Sequence, residues 1–221
     1  VADVLDLLPG GVEVLRADPW RLLDVRGVTP EQSDAFARAL AGAAARPDDP
    51  RRLTALTTWL LRRAAVDGHT ALPVPTVLSA LASWGGRSVE AERLAQDGRV
   101  VLAGALLALR PAADLEEALA ESLSMLADSE PSPVPGLPER GLLAVVGPAA
   151  TARRGYVNEL SGAAEAAGLR VGRASGAGLA GRGGVLAASD VAVVEDAELL
   201  GLRDAANLLD QLVDGQRLIL V

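Results

Sequence analysis

A proline-rich segment, residues 128–140, divides this 221-residue chain into two parts with different patterns. It contains four prolines and lacks the regular apolar spacing of a helix or a strand, so it is typical of a linker. The chain before it carries apolar residues at helical spacing. After it, short apolar runs alternate with alanine-rich stretches, which indicates βαβ units and a parallel sheet. The sequence therefore predicts an α-helical region, a linker over residues 129–140 and a partial α/β domain over residues 141–221.

Composition narrows the class of protein. Half of the residues are hydrophobic, which is enough for a soluble core, and there is no cysteine, which excludes disulfides, thiolate catalysis and cysteine metal sites. His69 is the single histidine, so no metal site is expected. No apolar stretch reaches the roughly 20 residues that span a bilayer, and the chain starts without the basic region of a signal peptide. We expect a cytoplasmic protein without membrane contacts.

The charge balance limits nucleic-acid binding to local contacts. The net charge is −8, and all 21 basic residues are arginine. Binding to a phosphate backbone depends on clustered cations, so an acidic chain has little non-specific attraction to DNA. Any DNA site must therefore be a local concentration of arginine.

Two short helices around a glycine turn are expected within residues 1–48. Helices over residues 1–8 and 12–15 precede Asp18, which can cap a helix that starts at Pro19. Thr29 can cap the next helix, residues 30–40. In a helix-hairpin-helix, the turn and the following helix N-terminus present backbone N–H groups to a DNA phosphate. Arg26, Gly27 and Thr29 are therefore candidate DNA contacts, and a hairpin that only packs is the alternative.

The order of elements predicted for residues 49–128 is that of a winged-helix module. We expect helices over 49–66, 75–84 and 89–97, a short strand over 69–72, a hairpin over 99–109 and a connecting helix over 114–126. Arg51 and Arg52 precede Arg62 and Arg63 by 11 positions, close to three helical turns, so both pairs should lie on one face. This spacing predicts a basic strip that contacts DNA. The alternative is a solvated face opposite the leucines.

The α/β part has the outline of a phosphate-binding loop without its lysine. Strands are expected over 142–146, 169–173, 191–194 and 217–221, with helices over 153–167 and 202–213. Gly147 begins a GxxxxGK[ST]-like pattern in which Arg153 replaces the lysine and Arg154 replaces the metal-binding hydroxyl. Arginine cannot supply the compact charge of lysine in a tight loop. Gly147, Thr151, Arg153 and Arg154 are candidate phosphate contacts, and a plain strand, turn and helix start is the alternative.

Two carboxylates, Glu195 and Asp196, follow the strand predicted at 191–194. In an active nucleotide hydrolase the Asp holds the metal shell and the Glu after it polarises water, but here the order is inverted. Inversion moves each carboxylate by about one methylene, which the near-octahedral geometry of Mg²⁺ does not tolerate. The pair is a candidate part of a nucleotide site or a solvated strand end. We expect no cofactor, with at most weak binding of ATP and Mg²⁺.

These motifs together resemble the RecD-like DNA helicase family, in the branch with an N-terminal extension of helical hairpins. The most specific segment is residues 67–73, DGHTALP, which is similar to the family's Gly-His-x-x-Leu-Pro. The other matching segments are 17–22 (ADPWRL), 25–28 (VRGV), 146–148 (VGP), 173–176 (RASG) and 195–197 (EDA). The resemblance is collinear over nearly the whole chain. It implies ATP-driven DNA unwinding by two RecA-like P-loop domains that follow DNA-contacting helical modules.

The chain departs from the family at the residues that matter most for unwinding. The Walker A lysine and hydroxyl are absent, the proline-rich segment replaces a glutamine-bearing one, and residues 1–221 contain no second RecA-like domain. We therefore expect the N-terminal part of a RecD-like relative that binds DNA, or another helicase or repair subunit, and does not hydrolyse ATP. One alternative is an active helicase in a longer parent chain, with Arg153 on phosphate and Glu195 or Asp196 on Mg²⁺. Another is a protein-interaction module of a helicase complex.

Overall fold

The computed structural model describes residues 11–86, 89–127, 134–147, 149–179, 183–212 and 215–221. The chain falls into two units, Val1–Ala113 and Asp114–Val221. The first is helical with a small antiparallel sheet, and the second is α/β with a parallel sheet. This confirms the predicted fold class. The helix predicted for residues 1–8 lies outside the described residues.

Polar side chains cap the second and third of the first helical segments. These segments are α1 (Gly11–Ala17), a 3-10 helix (Pro19–Asp24) and α2 (Pro30–Ala41). The Trp20 N–H donates to Asp18 Oδ1 at 3.1 Å, so Asp18 is the expected cap. Thr29 and Gln32 form a capping box, in which each side chain accepts a hydrogen bond from the other residue's backbone N–H. Both predicted caps are confirmed.

After a short 3-10 helix (Gly42–Ala44), the described part of the first unit continues with three α-helices and three strands. They are α3 (Pro50–Val66), β1 (Ala71–Pro73), α4 (Val74–Ser83), α5 (Ala91–Leu94), β2 (Val100–Ala103) and β3 (Leu106–Leu109). The strands form an antiparallel sheet in the order β1-β3-β2, with Leu72 and Leu102 both opposite Leu107. The predicted order of elements is confirmed. α5 is shorter than predicted because the chain leaves it through turns that end at Gly98, whose φ is +76°.

The core of the first unit is built around α3. Residues 52–58 of α3 are buried on every side of the helix, and its buried leucines are Leu53, Leu56 and Leu61. They pack in one cluster with Trp20 of the 3-10 helix and Leu107 of β3. Burial of each large apolar side chain stabilises the fold by roughly 1.5–3 kcal/mol. The helical hairpin and the sheet are therefore held by the same helix.

A four-stranded parallel sheet organises the second unit. The second unit begins within α6 (Arg110–Ala127). The strands and helices that follow are β4 (Gly141–Ala144), α7 (Ala150–Ala166), β5 (Val171–Ser175), α8 (Gly183–Ala187), β6 (Val191–Glu195), α9 (Leu202–Gln211) and β7 (Arg217–Leu220). The strand order is β4-β7-β6-β5. The carboxyl ends of parallel strands meet at one edge, where ligands bind in open α/β sheets. Across the described ranges, no helix is both long and apolar enough to cross a membrane.

Part of the proline-rich segment packs into the second unit. Residues 128–133 lie outside the described residues, but Val134 and Leu137 are buried in a core cluster that includes Ile219. Arg217 Nε donates to the Pro138 carbonyl at 2.8 Å. Residues 134–140 are therefore not an open linker, because apolar side chains between the prolines reach the sheet.

Asp190 is expected to keep its negative charge to unusually low pH. Arg170 donates two side-chain hydrogen bonds and its backbone N–H to this carboxylate, at 2.9–3.0 Å. These bonds lower the pKa of Asp190 from 3.8 to about 2. Because the folded pKa lies below the unfolded value, the ion pair stabilises the fold above pH 3.8 and is lost as the pH falls through 2. NMR titration should give a clearly higher midpoint in Arg170→Ala, and equal midpoints would contradict this assignment.

Candidate functional site

The turn between the 3-10 helix and α2 offers two backbone N–H groups to an anion. Gly27 has φ +88°, a conformation that strains any residue with a Cβ, and Arg26 beside it is exposed. The Val28 N–H donates to the Val25 carbonyl at 3.3 Å. Among the described residues, nothing accepts a hydrogen bond from the N–H of Arg26 or Gly27. Both groups are therefore free to contact a phosphate.

The N-terminus of α2 satisfies its own donors. The Thr29 N–H donates to Gln32 Oε1 at 2.9 Å, and the Gln32 N–H donates to Thr29 Oγ1 at 3.3 Å. Pro30 has no N–H. The pKa of Glu31 is lowered because its carboxylate accepts hydrogen bonds from its own backbone N–H and from the Thr29 hydroxyl. Thr29 thus serves as a helix cap, and the groups left for an anion belong to the turn.

Three arginines surround Asp24, directly before this turn. Arg21 donates from Nε to the Asp24 carboxylate, Arg62 Nη1 lies 2.8 Å from Oδ1, and Arg99 Nη1 lies 3.6 Å from Oδ2. Asp24 is largely buried, whereas Arg62 is 44% exposed. Arg99 also pairs with Asp97 at 2.5 Å. These contacts form the Asp24 cluster (Arg21, Asp24, Arg62, Asp97 and Arg99), in which three arginines meet two carboxylates.

Arg52 of α3 lies inside the first unit. Its Nε and Nη2 donate to the two carboxylate oxygens of Asp34, each at 2.7 Å, and its other hydrogen bonds reach the carbonyls of Pro47 and Trp84. Trp20 Nε1 donates to the same carboxylate at 3.0 Å. Burial opposes ionisation of Asp34, but the hydrogen bonds and charge of Arg52 outweigh it and the pKa of Asp34 is lowered. Arg52 therefore does not belong to the exposed basic strip that helical spacing predicted, because Asp34 and the carbonyls of Pro47 and Trp84 bind its guanidinium inside the unit.

The other three arginines of α3 lie at the surface in different settings. Arg51 pairs with Asp49 at 2.8 Å, and its guanidinium carbon lies 5.3 Å from the centroid of the Trp20 ring. Arg63 lies 5.7 Å from the centroid of the Trp59 ring. Arg62 alone joins the Asp24 cluster. Of the four predicted cations, Arg62 is the one that the structure brings to the hairpin turn.

In the second unit, the phosphate-loop position is largely helical. α7 begins at Ala150 instead of the predicted Arg153, since alanine favours a helix where glycine would keep an open loop. Thr151 is exposed in the first turn of α7. Arg153 Nη1 donates to the Gly147 carbonyl, so this guanidinium folds back onto the backbone that precedes the helix.

Glu195 and Asp196 are paired with arginines at the carboxyl edge of the sheet. Arg154 Nη2 lies 3.3 Å from Asp196 Oδ1, and its Nε lies 4.0 Å from Glu195 Oε2. Arg173 of β5 lies 3.3 Å from Glu195 Oε1 and donates to Asn158 at 2.7 Å. The structure thus brings the predicted Arg154, Glu195 and Asp196 together and adds Arg173. We name these four residues the arginine–carboxylate network.

The backbone at Asp196 has an unusual conformation. Its φ is +52°, and no other non-glycine residue in the described ranges has a positive φ. A Cβ at Gly176 would lie 2.4 Å from the Asp196 carbonyl oxygen. The ends of β5 and β6 therefore pack so closely that only glycine fits at position 176.

The cavity beside the loop is mainly apolar. It measures about 500 Å³ and lies between the end of β4 and the start of α7. Among the described residues that line it, Arg153 is the only charged one. A triphosphate cradle needs several convergent N–H groups and cations, which this lining does not supply.

The arrangement of the first unit defines a helix-hairpin-helix domain, in which two short helices flank a glycine turn with free N–H groups. The comparison with protein families agrees. Residues 9–71 match the family described as the ATP-dependent RecD2 DNA helicase HHH domain. No curated protein matches the chain. The first unit therefore contains a helix-hairpin-helix domain of the RecD2 helicase type, which confirms the resemblance to RecD-like helicases over this part.

The parallel sheet of the second unit is compatible with a partial RecA-like fold.

Sequence reasoning did not find Arg21, Asp24 or Arg99. The one local signal was the spacing of Arg21 and Asp24, which places their side chains on one helical turn. Arg99 reaches Asp24 from the residue before β2, a contact that only the tertiary fold creates.

Proposed function

We propose that the first unit binds DNA through its hairpin turn and the Asp24 cluster, as the N-terminal part of a RecD-like helicase relative. One observation carries the proposal. The N–H groups of Arg26 and Gly27, which have no acceptor among the described residues, lie two and three positions after Asp24, which binds Arg62 and Arg99. The matching family is named for a DNA helicase, which supports the same reading.

The chemistry of this surface suits a phosphate of the DNA backbone. Phosphate oxygens accept hydrogen bonds from backbone N–H groups and from guanidinium groups, whose bonds are shorter and stronger. The exposed Arg62 can keep one edge on Asp24 and turn the other toward a phosphate, since a guanidinium carries five N–H donors. The chain as a whole has a net charge of −8, so binding should be confined to this local surplus of cations.

The rest of the first unit supports a winged-helix-like module beside the hairpin. The antiparallel β2–β3 hairpin follows α3, α4 and α5, which is the position of the wing in the element order of a winged helix. Arg99 immediately precedes β2 and reaches the Asp24 cluster, while Arg62 reaches it from α3. We infer that the hairpin domain and the winged module act as one DNA-binding surface.

The second unit, in this proposal, is a RecA-like domain that does not hydrolyse ATP. Mg²⁺ requires carboxylate oxygens and waters in near-octahedral geometry. Here Arg154 contacts both Glu195 and Asp196, and Arg173 holds Glu195 from the other side. Arg153 donates to the Gly147 carbonyl, so the guanidinium at the lysine position turns back onto the backbone. These residues do not fit a Mg²⁺–nucleotide, and no hydrolytic step follows from them.

DNA affinity is expected to depend on salt through Arg62 and Arg99. Each phosphate contact contributes about −0.9 to the slope of log K against log salt. Arg62→Ala combined with Arg99→Ala should therefore flatten the slope by about 1 for each arginine that contacts a phosphate. Fluorescence anisotropy with a labelled duplex between low and physiological salt measures this slope.

Arg93→Ala is the matched control for that experiment, because Arg93 is exposed and has no ion pair among the described residues. It should leave affinity and slope unchanged. Failure of the wild type to bind DNA at low salt would reject the proposal and favour a protein partner. An unchanged slope in the Arg62/Arg99 variant would place the DNA elsewhere.

ATP turnover is expected to be absent, with or without DNA. A coupled hydrolysis assay and calorimetric titration with ATP and Mg²⁺ measure turnover and binding. Arg153→Lys combined with Arg154→Thr restores the family's residue types and serves as the comparison. Micromolar binding with turnover in the wild type, abolished by Glu195→Ala, would show that the site is active.

A further inference from the structure

A second cluster of arginines surrounds a cavity of about 280 Å³ in the first unit. Arg38 of α2, Arg46 of the following loop and Arg52 of α3 all line it. Asp34 is the carboxylate in the lining, and its two oxygens are already bound by Arg52. The cavity therefore has a surplus of positive charge in a chain of net charge −8. We call it the arginine pocket.

The three arginines differ in how fully they are bound. Arg52 makes four hydrogen bonds, so one of its five N–H donors has no partner among the described residues. Arg46 pairs with Asp48 at 3.3 Å, with both side chains largely in solvent, and such pairs contribute little. Arg38 is exposed and has no hydrogen bond or ion pair with any described residue. Two of the three guanidinium groups can therefore turn to a ligand at little cost.

Trp20 and Trp84 form the apolar part of the lining. Trp20 is almost fully buried and fixed by its hydrogen bond to Asp34, and Trp84 stands edge-on to Trp59 at 5.6 Å. Packing and this hydrogen bond thus hold the apolar walls in place, while Arg38 and Arg46 are exposed at the rim. The volume exceeds that of a single phosphate group and leaves room for an attached sugar.

We propose that the arginine pocket binds a phosphate monoester. Guanidinium groups match phosphate oxygens in geometry and bind them bidentately, and a phosphate monoester carries more charge than a backbone phosphodiester. Two sources supply this group, a free nucleotide and the 5′ end of a DNA strand. The inference does not rest on the proposed function, because Arg62 and Arg99 of the hairpin surface are not part of the pocket lining.

Intrinsic tryptophan fluorescence tests the proposal. All three tryptophans lie in the first unit and two line the pocket, so a bound ligand changes the signal. Inorganic phosphate and AMP, titrated at constant ionic strength, should give a saturable change in the wild type and in Arg93→Ala. Arg38→Ala combined with Arg46→Ala should weaken binding at least tenfold. Arg38→Lys combined with Arg46→Lys, which keeps the charge but not the fork, should fall between them.

No saturable response in the wild type, or equal binding by the Arg38/Arg46 alanine variant with an unchanged unfolding midpoint, would overturn the proposal.

The source of the phosphate is identified with two oligonucleotides that differ in a 5′-phosphate. A preference for the phosphorylated strand that disappears in the alanine variant assigns the DNA end. AMP binding without that preference assigns a free nucleotide. Because phosphate and AMP lack a DNA backbone, failure here is separate from failure of the hairpin to bind DNA.

Discussion

Replacement of Arg52 by alanine is expected to lower the free energy of unfolding of the first unit by about 3 kcal/mol. The guanidinium is buried and makes two 2.7 Å hydrogen bonds to Asp34, so its removal leaves a largely buried carboxylate without its counter-charge. It also removes the donors to the carbonyls of Pro47 and Trp84. Urea denaturation followed by tryptophan fluorescence reports this unit, because every tryptophan of the chain lies in it.

The loss should depend on pH with a defined sign. The pKa of Asp34 is lowered in the folded protein, so the ion pair stabilises the fold above pH 3.8 and its contribution is lost as the pH falls through the folded pKa. The difference between wild type and Arg52→Ala should therefore narrow in acid. Arg93→Ala, an exposed control, should change stability by less than about 0.5 kcal/mol. A loss in Arg52→Ala no larger than in this control would mean that the pair does not hold α2 to α3.

Gly176→Ala is expected to destabilise the carboxyl edge of the parallel sheet by about 1–3 kcal/mol. The new Cβ would lie 2.4 Å from the Asp196 carbonyl oxygen, a backbone atom that cannot rotate away. β5 and the segment after β6 must then separate. Amide hydrogen exchange of residues 171–179 and 191–200 measures this local opening.

Gly178→Ala is the matched control, since a Cβ at Gly178 would meet no atom within 4 Å. Both substitutions remove a glycine from the same 3-10 helix, Gly176–Gly178, so they share the change in chain entropy. Equal exchange rates in the two variants would show that the close approach of Gly176 and Asp196 does not limit stability.

Local signals in the sequence predicted most of the secondary structure. Asp18 and Thr29 cap the helices that they were expected to cap, because a side chain reaching its own helix N-terminus depends on neighbouring residues alone. The strand that ends at Glu195 was recognisable from its uninterrupted apolar run, which is typical of a strand buried on both faces. The ends of helices were predicted less accurately. α7 starts at Ala150, whereas the sequence predicted a start at Arg153.

Contacts between distant segments were not predictable. Helical spacing gives Arg52 and Arg63 the same face of α3, yet Arg52 is buried against Asp34 of α2 and Arg63 lies at the surface. Spacing along one helix cannot show which part of it another helix covers. The sequence assigned Arg154, Glu195 and Asp196 to one candidate nucleotide site from their motifs, but it gave no indication that Arg173 would join them.

Amide hydrogen exchange with and without a DNA duplex at low salt tests the central claim most directly, because it locates the contact on the backbone. We expect slower exchange at Arg26 and Gly27, the two N–H groups without a protein acceptor in the described structure. The carboxyl edge of the parallel sheet, residues 171–179 and 191–200, should be unchanged. Bound DNA with no protection at Arg26 and Gly27, or with protection confined to the second unit, would contradict the account.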